Sequence, residues 1–167
     1  MLPVTIETLV VGMLPSPSVV VLRPQKEEIS TVRVLPIWIG PAEAMSIGVA
    51  LEGQTLLRPM THDFLASTIS ALGSRVERVV VDRVEGSTFY ATVYLHYQGE
   101  IIGLDARPSD SIALALRTDA PLFVDDDVFA IASYPYDFPM ERDSEATLES
   151  FHSFIESISP EDFSHVE

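Results

Sequence analysis

The residues of this chain with the most chemistry to offer cluster at helix starts. From Ile101 the sequence runs I-I-G-L-D-A-R-P-S-D-S-I-A-L-A-L-R. It reads as a strand to Arg107 and a short apolar helix over Ser109–Arg117. Pro108 suits the helix entrance, where its missing N–H costs nothing. That spacing crowds Asp105, Arg107 and Asp110 at one strand-to-helix junction. In I-W-I-G-P-A-E-A, Glu43 follows Pro41 by the offset that separates Asp110 from Pro108. A third helix start carries His62 and Asp63, with Arg58 just upstream. Carboxylates held this way can ligate Mg²⁺ or Mn²⁺. Such an ion polarises a phosphoryl group and lowers the pKa of an attacking water. The candidate metal ligands are therefore Glu43, Asp63 and Asp110. The candidate catalytic groups are His62, Asp63, Asp105 and Asp110, with His62 as general base or additional ligand. Arg58 and Arg107 are the candidate phosphate-binding residues, because a guanidinium matches phosphate geometry.

Each of these residues also has a purely structural explanation. An acid in a helix's first turn stabilises it by about 0.3–1 kcal/mol through the dipole. Ser109 or Asp110 can cap free amides, and Arg107 beside Asp105 or Asp110 is an ordinary ion pair. His62 fits a first-turn polar role, and His96, His152 and His165 have no ligand-like neighbours at short spacing. No H-E-x-x-H, Cys-His set, G-x-S-x-G or phosphate-binding glycine loop is present. Trp38, Tyr90, Tyr94 and Tyr97 have rings on which bases could stack. Their alternation along strands fits a core or subunit interface better. Arg75, Arg78 and Arg83 make at most a weak basic stripe, so intrinsic affinity for nucleic acid should be low.

The elements that must position these groups follow from periodicity. Strands are predicted at Val4–Val11, Val19–Leu22, Thr31–Ile39, Arg75–Val84, Thr88–Tyr97, Ile101–Arg107 and Pro121–Val124. Pro36 argues for an edge position or a bulge in the third of these. Helices are predicted from Pro41 to about Glu52 and from an N-cap at Thr61 to Leu72. In the second, Phe64, Leu65, Ile69 and Leu72 form the apolar stripe. Val128–Ala132 is short and apolar, residues 133–142 read as a loop, and Glu145–Ile158 has helical spacing of Leu148, Phe151, Phe154, Ile155 and Ile158. Two segments share the order of three strands and a proline-opened helix. A duplicated βββα unit with the helix of residues 62–72 inserted accounts for this, although proline and acid also favour any helix entrance. The fold class is α+β, a mixed or antiparallel sheet roll. Residues 1–132 form the main domain, and residues 133–167 an acidic loop and helix packing on the body or on a neighbouring subunit.

Bulk composition narrows the setting. The chain has 167 residues, 47% hydrophobic, with a net charge of −15. Residues 1–124 hold 13 acids and 9 bases, whereas residues 125–167 hold 12 acids and one base. Such a tail repels nucleic acid and membrane surfaces. A mean hydropathy of +0.24 is high for so acidic a chain and points to surface buried between subunits. Cysteine is absent, which suits a reducing cytoplasm. The first residues lack a basic n-region, and no apolar run reaches the roughly 18 residues of a membrane helix.

Taken together, L-P-I-W-I-G-P-A-E-A, R-P-M-T-H-D-F-L, G-S-T-F-Y-A and D-A-R-P-S-D-S-I-A-L-A-L-R resemble the bifunctional nuclease domain family. The resemblance covers about Val4–Ala132, and the acidic tail is similar to that of bacterial, actinobacterial-type members. It implies an α+β roll, a homo-oligomer, and nuclease action on DNA or RNA. Two functions are thus in contention. One is a phosphodiesterase acting on nucleic acid with Mg²⁺ or Mn²⁺. The other is a non-catalytic homo-oligomeric binding or regulatory module for a protein or small-molecule partner.

Overall fold

A computed structural model describes residues 1–12, 17–25 and 33–135. In chain order the elements are β1 (Leu2–Val10), β2 (Ser18–Pro24), β3 (Arg33–Ile39), α1 (Pro41–Leu51), α2 (Thr61–Ala71), β4 (Arg75–Glu85), β5 (Thr88–Tyr97), β6 (Glu100–Ala106), α3 (Pro108–Thr118), β7 (Leu122–Val124), α4 (Asp126–Ala132) and β8 (Tyr134–Pro135). The fold is α+β, built on one eight-stranded mixed sheet ordered β6-β5-β4-β7-β1-β2-β3-β8.

That order places two antiparallel meanders, β1-β2-β3 and β4-β5-β6, on either side of β7. Each meander leads toward a proline-started helix, α1 directly and α3 directly. β7 pairs antiparallel with β1 and parallel with β4, closing the seam between the halves. The strand-helix order anticipated from the repeated sequence pattern is thus the order of the fold. Pro36 sits where a missing donor is tolerated: among the described residues β8 pairs with Arg33 and Val34, and no strand pairs with Pro36 on that side.

The core lies between the sheet and the helices. Alternate strand residues supply Val20, Leu22, Leu35, Val79, Val81, Ala91 and Val93, and helices α1 and α3 supply Ile47, Ile112 and Leu114. α3 is the most deeply set helix, with Pro108, Ser109 and every residue from Ser111 to Ala115 buried. A smaller cluster of Val19, Val21 and Val34 packs on the other face of the sheet, against Val10 and Trp38.

Several expectations need correction. The N-cap of α2 is Met60, and Thr61 is already helical. The amphipathic stripe expected on α2 is largely uncovered: only Ile69 is buried, while Phe64 and Leu72 are 67% and 68% exposed. The apolar run before Ala132 is a helix, α4, nucleated by the Asp125 carboxylate accepting from the Asp127 N–H at 3.0 Å. Residues 134 and 135, expected in a loop, pair with β3. The predicted helix at Glu145–Ile158 lies outside the described residues. Among the described residues no helix is long and apolar enough to cross a membrane.

Candidate functional site

Helix α3 lies against both α1 and α2, and the polar residues of the three meet at one network. Gly40 and Arg107, in extended conformation, precede the N1 prolines of α1 and α3. Glu43 and Asp110 therefore emerge from equivalent first turns. The Arg107 guanidinium bridges them, with Nη1 to Glu43 Oε1 at 2.9 Å, Nε to Asp110 Oδ2 at 2.8 Å and Nη2 to Asp110 Oδ1 at 3.1 Å. This two-pronged grip on Asp110 is the strong, oriented form of the pair. Neither Ser109 nor Asp110 caps α3 with its side chain.

Behind this pair stands His62 from α2. Its Nε2 is 3.1 Å from Asp110 Oδ1, and its Nδ1 is 2.8 Å from the Ser46 hydroxyl of α1. Burial pushes the Asp110 pKa up, but hydrogen bonds from Arg107 and His62 outweigh it and hold the carboxyl below its ordinary value. Asp110 is thus ionised at neutral pH and can only accept. In neutral His62 the proton is therefore assigned to Nε2, leaving Nδ1 to accept from Ser46. A hydroxyl, an imidazole and a carboxylate in line is the arrangement of an activated nucleophile. Ser46 is only 3% exposed, however, so in this conformation it fixes the ring instead of attacking a substrate.

A second arginine braces the same helices from within. Arg117 has a side chain only 7% exposed. It donates to Asp63 Oδ1 of α2 at 2.5 Å, to the Ala113 carbonyl of α3 at 2.8 Å and to the Ser46 carbonyl of α1 at 3.1 Å. Asp63 also accepts the Met60 N–H at 2.7 Å. That backbone bond first, and Arg117 second, hold the Asp63 carboxyl below its ordinary range. Asp110 and Glu43 conversely raise the pKa of Arg107.

Of the residues singled out from sequence, Glu43, His62, Asp63, Arg107 and Asp110 belong to these linked contacts. Asp105 and Arg58 do not. Asp105 is exposed on β6, paired across the sheet with Thr92, and Arg58 is exposed in the loop between α1 and α2. Ser46 and Arg117 escaped sequence reading. Tyr94 and Tyr90 carry Arg78 and Arg83 over their rings at 4.0 Å, so these rings already hold a cation partner.

The expected metal set is not assembled in this arrangement. Among the described residues no group of three or more His, Asp or Glu side chains is placed to hold an ion. The reason is visible in the contacts: Arg107 occupies the space between Glu43 and Asp110, and Asp63 is turned to Arg117.

Glu43 and Arg107 open onto a cleft of about 280 Å³ between the end of β3, the β4–β5 turn and the start of α3. Trp38 and Phe89 supply apolar wall, Ser87, Thr88 and Ser109 supply hydroxyls, and among the described residues Arg107 is the only base lining it. A second cavity of about 360 Å³, lined mainly by apolar residues of β1, β7 and the far ends of α1 and α3, is away from this network.

The sequence profile of the bifunctional nuclease domain matches residues 20–137. The chain belongs to the bifunctional nuclease domain family. An uncharacterized protein of Mycobacterium tuberculosis is 42% identical over 139 residues, covering 78% of this chain and 81% of the relative. Bifunctional nuclease 1 of Arabidopsis thaliana is 26% identical over 113 residues, covering 66% of this chain and 34% of the plant protein. Bifunctional nuclease 1 of Oryza sativa subsp. japonica is 28% identical over 94 residues, covering 54% of this chain and 28% of that protein. The match thus spans only about a third of the plant proteins. The family profile ends near β8, so the acidic residues after 137 lie beyond the matched domain.

Proposed function

We propose that this bifunctional nuclease domain is a nuclease-like phosphodiesterase acting on DNA or RNA at the Glu43–Arg107 cleft. The observation that carries the reading is the placement of Arg107 at the cleft with the His62–Asp110 pair directly behind it. A phosphate entering there meets a guanidinium and the first-turn amides of α3, whose acceptors within the helix are missing. Asp110 orients His62, whose imidazole is the candidate for moving a proton. The wall of Trp38 and Phe89 suits the flat face of a base. The plant relatives bear the name bifunctional nuclease, which favours this substrate class.

In the test, rigorously purified protein is incubated with single-stranded DNA and RNA, beside His62→Ala and Asp110→Asn. Each variant is expected to lose about 10²-fold or more in rate, the usual contribution of a positioned acid or base. Activity unchanged in both would remove His62 and Asp110 from the chemistry. Binding is expected to be weak and salt-sensitive, since a single arginine in the cleft neutralises few phosphates.

A divalent cation belongs to the same proposal, with Glu43 and Asp110 as its acids. In this arrangement Arg107 holds both carboxylates. An entering Mn²⁺ ion has to displace that guanidinium. Titration calorimetry should therefore detect tighter Mn²⁺ binding in Arg107→Ala than in the unaltered protein. No heat in either protein would take the ion out of the reading.

One observation favours a second reading, a non-catalytic regulatory or binding module. Glu43, Asp63 and Asp110 are each already paired with an arginine, which is also how helices are clamped together. Absence of any cleavage by purified protein, with or without Mn²⁺, would favour that reading.

A further inference from the structure

The cavity of about 360 Å³ at the far ends of α1 and α3 has the size of a site for a small organic molecule. β7 stops at Leu122, opposite Val4, so Thr5 and Ile6 line the cavity where the strand partner of β1 ends. The floor is apolar and buried, formed by Val4, Ile112, Ala115 and Leu122. The rim is polar. Gln25 donates from Nε2 to the Val4 carbonyl at 3.3 Å, which leaves its amide oxygen to accept. Asp119 completes the rim at the end of α3.

Asp119 runs against two local preferences. It ends α3 in the left-handed conformation, at φ 51°, where glycine or asparagine is the usual residue. It also adds a negative charge at the negative end of the helix dipole. The last turn of α3 carries one base, Arg117, but its guanidinium is turned to Asp63 and the Ser46 carbonyl and does not line the cavity. The last turn of α1, which reaches the cavity with Leu51, has no base. Among the described residues the Asp119 carboxylate has neither a hydrogen-bond nor an ion-pair partner. Departures of this kind from local preference concentrate at functional sites.

We propose that this cavity binds a small organic ammonium ion. Its apolar body would rest on the floor, and its ammonium at the rim beside the Asp119 carboxylate and the last carbonyls of α3, which have no donors within the helix. A cation there relieves the repulsion between Asp119 and the helix end. A carboxylate ligand meets charge of its own sign at the same rim. The site is separate from the Glu43–Arg107 cleft and stands whether or not that cleft cleaves nucleic acid.

The test is a titration of the full chain with hexylamine, 1-hexanol, hexanoate and methylamine, followed through backbone amide resonances in two-dimensional NMR. Hexylamine is expected to shift Leu116, Asp119, Ala120 and Leu122 saturably. 1-Hexanol, with the same chain and no charge, should bind there about fivefold more weakly, the scale of one partly exposed ion pair. Hexanoate should bind more weakly still. In Asp119→Asn, which tolerates the left-handed turn, hexylamine should fall to the affinity of 1-hexanol while 1-hexanol itself is unaffected. The melting temperature of this variant should not drop, since the charge removed opposes the helix dipole. Equal affinity for hexylamine and hexanoate overturns the proposal. So does a methylamine pattern identical to that of hexylamine, which would reduce the effect to the attraction of a chain of charge −15 for any cation. Nuclear Overhauser contacts from residues 26–32 or 136–167 to Asp119 or Ala120 in the unliganded protein would show the chain filling its own cavity, and overturn it as well.

Discussion

Arg107→Ala should lower the rate of nucleic-acid cleavage by about 10²–10³-fold, the effect of removing one preorganised group that stabilises transition-state charge. Among the described residues Arg107 is the only base lining the cleft, so none of them can replace its charge there. The loss is compounded because Glu43 and Asp110, both held by this guanidinium, would then repel an incoming phosphate unopposed. Arg107→Lys keeps the charge but not the fork that grips Asp110 through two nitrogens, so it should recover only part of the rate. Stability should change little. The Arg107 side chain is 64% exposed, and an ion pair so open to solvent contributes about 1 kcal/mol at most. A large rate effect with a nearly unchanged melting temperature therefore separates a substrate contact from a structural brace. Full activity in Arg107→Ala would exclude this cleft as the phosphate site.

The two corners that meet at Arg107 were legible because they repeat. Proline at N1 and an acid two residues on occur at both Pro41 and Pro108, and duplicated strand order brings the two helix starts together. That an arginine would bridge the two acids was not legible. Arg107 lies in the connection, and nothing in its spacing says toward which carboxylate it turns. Ser46 and Arg117 were invisible for another reason. Both sit in helices whose pattern announces only burial, and a polar residue in such a run shows no partner until the neighbouring helix is in place. α2 shows the opposite failure. Its apolar stripe is a stripe in the helix, but periodicity cannot say what covers it, and among the described residues almost nothing does. α4 is only seven residues long, too short for its period to register, although its run of three aspartates marks a helix start.

The largest stability effect is expected at Arg117. Arg117→Met keeps the buried stem and removes the charge, and with it the hydrogen bonds to Asp63 Oδ1 and the Ser46 carbonyl. Arg117 is buried but Asp63 is 36% exposed, so removing the arginine costs about 2 kcal/mol in lost hydrogen bonds, or roughly 6 °C in melting temperature for a chain of this size. The effect should concentrate on α2. That helix buries only Ile69, so the Arg117–Asp63 pair and the contacts of His62 are its main polar ties to the body. His62 should therefore be released with it, and cleavage should fall together with stability, unlike in Arg107→Ala. Acid acts on the same pair. The folded-state pKa of Asp63 lies below the ordinary carboxylate value of 3.8, so its stabilising contribution is fully present above that value. It drains away as pH falls through the depressed folded value. In Arg117→Met this acid sensitivity should shrink without vanishing, because the Met60 N–H, the largest cause of the shift, is untouched. Melting curves of both proteins between neutral pH and the acid limit read both effects. Parallel pH profiles would show that Arg117 contributes nothing to holding Asp63 ionised.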